Sequence, residues 1–436
     1  MTLSFGTYAV HVTLKNLETD RLNYTYASLS GGNLNNGALG FKVVIDDKEL
    51  KVTSDLIGGY KIYYWQQGDD IYISDDIYEV LIATEKFEID TNDLRYFERH
   101  GYLLCDRTFR RGLYRLSPCS TLVVNEKGLT IASNWTLGNV IRQPDERKYV
   151  DAVRSAVDES LGQLQGAKEK IILCFSGGTD SLYLAKRMMA LSIDFDIVFW
   201  TTDYQALKTA KKGAKLINKD LIVIDVSDYS KELQKVVSKE MFFDKHYSRI
   251  HYVGCQKIVE KYGSGVILVN GQNSDSILTY GPSETKFTSY WKRYFMYGEN
   301  YFIKWIYKTI IEIGFRRRFI VPKTEEEMNR ALLDNFKYCL ILDRNEPSEY
   351  QKYLDNFLKE IKDKIFFSNQ NNLWMYIKTI THITGSDTQV CVNSARHFGF
   401  QLLLPFATEN FMRAALAYKD DRKELQMPKY VLKNDK

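Results

Sequence analysis

Residues 171–175 read Ile-Ile-Leu-Cys-Phe, and Ser176-Gly177-Gly178-Thr179-Asp180-Ser181 follows without a break before Leu182-Tyr183-Leu184-Ala185-Lys186-Arg187. Five apolar residues in a row predict a strand buried on both faces, the kind a parallel sheet covered by helices contains. Ser-Gly-Gly predicts a sharp turn, and Asp180 onward the first turn of a helix. The glycines let backbone approach a polyanion, while the turn's N–H groups and the helix N-terminus aim partial positive charge at it. Ser176 and Ser181 add hydroxyl donors. Asp180 would repel a polyphosphate unless a divalent cation stood between them. The string therefore predicts a nucleotide site with Mg2+. The GxxxxGK[ST] string of γ-phosphate-handling loops does not occur in the chain.

Strands predicted at 195–200 and 221–226, with a helix around Gln205 to Ile217 between them, repeat the strand-helix-strand spacing of a doubly wound parallel sheet. Its ligand is expected beyond the carboxyl ends of the strands, with the base near Leu173 and Phe199. A fourth strand, Gly265 to Val269, ends in Asn270-Gly271-Gln272-Asn273-Ser274-Asp275-Ser276, where Gly271 again permits close backbone approach. Val150, Val153, Val157, Leu161 and Leu164 give one helical face leading into the first strand. Ahead of that helix, Asn134 to Asp145 reads as a linker. Residues 1 to about 133 read as short strands at 41–45, 60–65 and 71–74, with helices near Ile77 to Ala83 and Asp93 to His100. The expected fold class is α/β, with a smaller α+β domain in front.

The balance of 59 basic and 55 acidic residues, net +4, is too even to imply nucleic acid or a membrane surface by itself. Cys105, Cys119, Cys174, Cys255, Cys339 and Cys391 are scattered, without metal-ligand spacing, and are expected to be reduced thiols of a cytoplasmic protein. No secretory signal pattern is present, and no apolar run approaches the ~18 residues a spanning helix needs.

SGGTDS resembles the SGGxDS loop of the N-type ATP pyrophosphatases, which split ATP between the α- and β-phosphates. The resemblance implies that Leu173, Ser176, Gly177, Gly178, Asp180, Ser181, Phe199 and Gly271 bind ATP. Further strings resemble the asparagine synthetase B family and the related β-lactam synthetases and lasso-peptide cyclases. In the front half these are Ser54-Asp55-Leu56-Ile57-Gly58-Gly59 through Tyr63-Tyr64, then Arg107-Thr108-Phe109-Arg110-Arg111-Gly112-Leu113-Tyr114-Arg115-Leu116-Ser117-Pro118. They look like that family's amidotransferase domain. In the back half, Asn270 to Ser276 looks like the loop closing over the pyrophosphate, and Asp275 falls at the second magnesium-binding aspartate. Lys429-Tyr430-Val431-Leu432-Lys433 looks like the string whose first lysine offsets charge developing in the transition state. Asn393 to Phe406 looks like the string preceding it.

The departures are as specific. Thr2 follows Met1 where the family has its nucleophilic cysteine, so the front half is expected not to hydrolyse glutamine. Gln272 stands where asparagine synthetases carry glutamate; it has no useful pKa and is expected to hydrogen-bond the acceptor. Gln401 and Leu403 stand at the family's glutamate and arginine. His382 and His397 are the histidines nearest these strings.

The resemblance implies residues 1–140 as a degenerate glutamine amidotransferase-like (Ntn) domain and residues 141–436 as the PP-loop synthetase domain. The implied reaction is ATP-dependent activation of a small-molecule, sugar or peptide carboxylate, with release of pyrophosphate and attack by an amine or ammonia. Lys429 and Gln272 are the implied catalytic residues, and Asp180 and Asp275 the implied metal ligands. The nitrogen would come from free ammonia, an amine substrate or a partner glutaminase, and the site's lid would be either missing or supplied by another chain, a second copy or a partner subunit. Two other readings remain: a deazaguanine nitrile or amide synthase, and an inactive ATP-binding assembly subunit or sensor.

Overall fold

The computed structural model describes most of residues 1–226, all of 248–278, 300–314, 370–380, 388–417 and 429–435, and isolated positions between them. The strands are β1 (Thr2–Phe5), β2 (Tyr8–Thr13), β3 (Asn23–Ala27), β4 (Gly40–Ile45), β5 (Glu49–Ser54), β6 (Tyr63–Gln67), β7 (Asp70–Ser74), β8 (Leu113–Arg115), β9 (Ser120–Asn125) and β10 (Gly128–Ser133) in the front part. Then come β11 (Lys170–Cys174), β12 (Asp196–Trp200), β13 (Leu221–Ile224), β14 (Val266–Val269) and β15 (Gln401–Leu403). The helices are α1 (Ile77–Thr84), α2 (Thr91–His100), α3 (Glu146–Gly162), α4 (Thr179–Ala190), α5 (Tyr204–Leu216), α6 (Ser248–Tyr262), α7 (Ser274–Leu278), α8 (Tyr301–Gly314), α9 (Gln370–Lys378), α10 (Thr388–Phe398), α11 (Glu409–Ala417) and α12 (Tyr430–Asn434).

The chain forms two compact units. Unit 1 comprises Met1–Trp135, Ala152–Ser274 and Thr379–Phe411, and unit 2 comprises Thr136–Asp151, Asp275–Lys378 and Met412–Lys436. Unit 1 holds all three sheets. One, in the order β1-β2-β7-β6-β8, is mixed, because β2 and β7 pair in parallel. The next, β10-β9-β5-β4-β3, is antiparallel throughout. Its strands β5 and β9 alternate buried and half-exposed residues, the signature of a sheet with one face on a core.

The third sheet runs β13-β12-β11-β14-β15 with every pair parallel, as the apolar runs require. Ile172, Leu173, Ile197, Val198, Val269 and Leu402 are fully buried. The chain winds from β11 outward through β12 to β13, then returns to place β14 on the other side of β11. The point where winding reverses lies between the carboxyl ends of β11 and β14, and open α/β sheets bind ligands at that place.

Within unit 1 the front sheets are tied to this parallel sheet by polar contacts. Arg396 of α10 donates to the Asp75 carbonyl (2.6 Å), lies 3.6 Å from the Asp75 carboxylate and covers the Tyr60 ring. Leu402 N–H donates to Ser28 O, Leu404 N–H donates to Gly37 O, and Ser160 Oγ donates to Asn36 O. At Gly37, φ is +91° and an added Cβ would lie 2.5 Å from Leu404 O, so this contact needs glycine. Asp55, in the string that resembles an amidotransferase, is buried and accepts N–H bonds from Gly40, Ile57, Gly59 and Tyr60. Burial raises its carboxyl's affinity for a proton, and these donors oppose the rise. Its work is to hold the turn. Within the stretch Asn134 to Asp145, expected as a linker, Leu137–Asn139 form a short 3-10 turn in which Leu137 is buried, and within unit 2 Asn372 donates to Gly138 O and Val140 O.

Candidate nucleotide-binding site

The turn after β11 is built by its own small residues. Phe175 N–H donates to Val198 O (2.8 Å), carrying the ladder one residue past the strand before the chain bends. Gly177 has φ +71°, and an added Cβ would lie 2.5 Å from Thr209 O and 2.8 Å from the Ala210 Cα of α5. Gly213 of α5 leaves the matching space, since its own added Cβ would meet the Gly177 Cα at 2.8 Å. Two glycines thus let helix and turn meet backbone to backbone. Gly177→Ala is expected to cost about 2–4 kcal/mol, combining left-handed strain with a clash against rigid backbone. Urea unfolding checks it; a loss under ~1 kcal/mol would mean that the turn moves freely.

Above that contact the turn is open. A Cβ on Gly178 would meet only Ser176 Oγ, at 3.3 Å. Gly178 caps α4 without any side-chain cap, so no side chain takes the helix's first N–H groups. Ser176 Oγ accepts from Gly178 N–H (3.3 Å) and lies 3.3 Å from Ser181 Oγ, which places both hydroxyls inside the turn. Uncapped N–H groups, two hydroxyls and a twelve-residue helix behind them make a candidate anion site.

The loop after β14 reaches the same place. Asn270 N–H donates to Leu403 O, Gln272 N–H donates to Asn270 Oδ1 (3.1 Å), and an added Cβ on Gly271 would contact Asp180 Cβ at 3.4 Å and Leu184 at 3.5 Å. The backbone at Gly271 therefore lies against the first turn of α4, at the reversal point of the sheet. Asn273 follows in a left-handed conformation (φ +76°), accepts from Thr388 Oγ1, and has its Nδ2 buried without a hydrogen-bond partner. Leu173 is fully buried below the turn and Phe199 half-buried on β12, so only Phe199 offers side-chain surface.

Asp275 begins unit 2 and stands in the first turn of α7. Lys429 Nζ lies 2.6 Å from its Oδ1. The two residues singled out from separate strings, more than a hundred positions apart, are thus brought together. Lys378, at the end of α9, is buried and donates to Ser276 O (2.9 Å), adding a second ammonium to the same short helix. Nothing in the sequence marked it, since a lysine ending an amphipathic helix is an ordinary feature. Asp180 in unit 1 and, separately, Asp275 in unit 2 each present a carboxylate, the donor type that Mg2+ takes. Among the described residues no group of three or more His, Cys, Asp or Glu side chains could hold a metal.

Other expectations are placed elsewhere. Gln401 is the first residue of β15 and donates to Glu169, at the amino end of the sheet, away from the Gly271 loop. It is no counterpart of an amine-site glutamate. His397 is exposed and packs edge-on against Phe398, His382 lies outside the described residues, and Thr2 lies on exposed strand with its hydroxyl 3.4 Å from His11 Nδ1. Cys174, Cys255 and Cys391 are free thiols. Burial, then the two neighbouring thiols, hold Cys174 well above its ordinary range, and burial does the same to Cys255.

His251 of α6 was not anticipated. Its ring meets Trp200, at the carboxyl end of β12, edge-on at 5.4 Å, and Gly254 lets that helix close onto the same indole. Burial holds its pKa down from 6.5 to about 4. The folded state therefore keeps it neutral while the unfolded chain takes a proton below pH 6.5, so stability falls as pH drops from 6.5 towards 4. The expected loss is about 2–3 kcal/mol by pH 4. Urea unfolding at pH 7 and 4.5 tests this; His251→Gln should flatten the difference, and an unchanged slope would locate it elsewhere.

No family model matches the chain, and no curated protein matches it. Solved structures do. An NH3-dependent NAD synthetase from Campylobacter jejuni subsp. jejuni NCTC 11168, in complex with the nitrate ion, is similar over 51% of this chain and 96% of its own, at 14% identity and a TM-score of 0.24. NMN synthetase from Francisella tularensis is similar over 54% of this chain and 92% of its own, at 11% identity and a TM-score of 0.23. Scores at that level carry neither fold nor activity from those proteins to this one.

Proposed function

We propose that this chain is an ATP-dependent C–N ligase of the PP-loop type, forming an amide by way of an acyl adenylate. The observation that supports it most is the meeting of the Ser176–Ser181 turn with the Gly271 backbone at the reversal point of a parallel sheet. A phosphate turn alone would bind any anion. A second glycine loop against it, with Asp180 in the first turn of α4, suits a metal-bound polyphosphate whose leaving group is pyrophosphate.

In this reading Ser176, Gly177, Gly178, Ser181 and Gly271 bind the phosphates, with Leu173 and Phe199 next to the base. Asp180 and Asp275 would hold Mg2+, which when bound neutralises the charge of the leaving pyrophosphate. A carboxylate oxygen of the acceptor attacks the α-phosphorus as the bond to the bridging oxygen breaks. An amine nitrogen then attacks the acyl carbon, AMP leaves with the carbon–oxygen electron pair, and the nitrogen loses its proton. Lys429 stabilises charge on the transferring groups, and Gln272 orients the acceptor by hydrogen bonding. The rate then comes mainly from positioning and fixed charge.

The asparagine synthetase-like ancestry, with residues 1–140 as a glutaminase-like domain without its cysteine and 141–436 as the synthetase domain, is a division by resemblance. Packing divides the chain differently, because the front sheets share unit 1 with the parallel sheet. Nitrogen would be supplied as ammonia, as an amine substrate or by a separate glutaminase.

The test is exchange of labelled pyrophosphate into ATP with Mg2+, screening amino acids, peptides, uronic acids and deazapurine carboxylates. Exchange that depends on one acid class establishes adenylation and names the acceptor. Tight ATP binding without exchange for any acid, with candidate partner proteins added, would overturn the ligase reading in favour of a nucleotide sensor.

A further inference from the structure

The front sheets carry buried structure that the ligase reading does not use, and one turn of it bears on the helix beside the nucleotide site. The buried Asp55 carboxylate accepts from Gly59 N–H (2.9 Å) and Tyr60 N–H (3.0 Å). Both residues held in this way touch α10. An added Cβ on Gly59 would lie 2.7 Å from Thr388 Cγ2, so the Thr388 methyl rests on that glycine. The Tyr60 ring lies under the Arg396 guanidinium at 4.9 Å, and Tyr60 Oη donates to Asp75 Oδ2 (2.8 Å), the carboxylate that Arg396 also faces. One turn thus braces α10 at two places roughly two helical turns apart.

The first turns of α10 in their turn hold the loop after β14. Thr388 Oγ1 donates to Asn273 Oδ1 (3.2 Å), and Asn270 Nδ2 lies 3.5 Å from Cys391 Sγ. Thr388 and Asn273 are 0% and 3% exposed, so water does not take the place of that hydrogen bond. Asn273 needs such a hold. Its φ of +76° lies in the left-handed region, which asparagine enters more readily than most side chains but still at a cost, and its Nδ2 is buried without a hydrogen-bond partner. Two positions earlier, the Gly271 backbone lies against Asp180 and Leu184. Thr388 therefore bears on a front-half glycine through one branch of its side chain and on the site loop through the other, and all of these residues belong to unit 1.

We infer that Thr388 is a positioning residue: its methyl takes its place from Gly59 in the front turn, and its hydroxyl sets the conformation of the loop that carries Gly271. The front half then acts on the nucleotide site through α10. What this predicts for ATP rests on the reading that places phosphates at Gly271, whereas what it predicts for the loop does not.

The test compares Thr388→Val, which keeps the branched shape and removes the hydroxyl, with Thr388→Ser, which keeps the hydroxyl and removes the methyl. Hydrogen exchange of the backbone amides of residues 270–274 is followed in the unliganded full chain, beside urea unfolding. Thr388→Val is expected to speed that exchange about tenfold, the effect of one lost buried hydrogen bond, and Thr388→Ser less than about threefold, although serine leaves the larger gap. A residue that only filled space would give the reverse order. Affinity for ATP with Mg2+ should fall with the fraction of molecules whose loop is in place, about three- to tenfold in Thr388→Val. Gly59→Ala approaches from the front half: its methyl would press on Thr388 and speed loop exchange, and adding Thr388→Ser should bring the exchange back towards the parent by making room. Loop exchange equal in the parent and Thr388→Val, or faster in Thr388→Ser than in Thr388→Val, overturns the inference. A parent that binds no ATP would overturn the nucleotide reading instead, with loop exchange still deciding the role of Thr388.

Discussion

Asp180→Asn is expected to abolish Mg2+-dependent pyrophosphate exchange, by roughly 10³-fold or more, while leaving the unfolding free energy within about 1 kcal/mol of the parent. The substitution keeps size and hydrogen-bonding capacity and removes the charge. If Asp180 only supported the turn, the amide would serve nearly as well. If it holds a cation between itself and a polyphosphate, the amide loses most of the attraction, and the nucleotide's own charge goes uncompensated. The Mg2+ titration separates the two roles: exchange in the variant should need far more Mg2+, and ATP affinity without metal should rise or stay level as a repulsive carboxylate disappears. Exchange within threefold of the parent at equal Mg2+ would sink the metal-ligand role and require another carboxylate to take it.

The parts of this site that are legible in the sequence are those in which local chemistry and chain conformation coincide. An apolar run followed by Ser-Gly-Gly specifies a strand and its turn within about ten residues, and β11, the turn and α4 fall where that pattern puts them. The Gly271 loop is legible for the same reason, whereas Lys429 and Asp275 are singled out only by strings that resemble one family, and what the structure adds is their ion pair. The rest is long-range. Arg396 meets Asp75 across 321 positions, and neither residue's neighbourhood in the sequence carries the other. That contact, with those of Ser28 and Gly37, packs the front sheets into one unit with the parallel sheet, although composition and a Pro-containing stretch suggest a break. Gln401 shows the opposite failure. Its string resembles that family's, but the register pairs it with Ile267, and its side chain meets Glu169 at the amino end of the sheet. His251 and Lys378 escape notice because one buried histidine or one helix-ending lysine has no periodic or spacing signature.

Lys429→Met carries the second large effect, and its value lies in what should not change. The ion pair with Asp275 is uneven: the lysine side chain is 15% exposed and the carboxylate 76%. A pair with one partner so fully in water contributes about 0–1 kcal/mol, and methionine keeps the apolar stem, so the unfolding free energy should hardly move. Yet Lys429 sits in the left-handed region (φ +59°), which costs a non-glycine residue about 1–2 kcal/mol. A strained backbone that holds an ammonium in a pair of little worth is explained if the ammonium is needed elsewhere, and strain of this kind gathers at functional positions. Exchange is therefore expected to fall about 10²- to 10³-fold in Lys429→Met, with ATP affinity altered less than fivefold, the pattern of a contact made chiefly in the transition state. Asp275→Asn should instead shift the Mg2+ requirement, so the two halves of the pair give different kinetic signatures. If Lys429→Met loses more than ~2 kcal/mol of stability while exchange per folded molecule stays at the parent value, the lysine is a structural cap of α12 and the charge on the transferring groups must be met by Lys378.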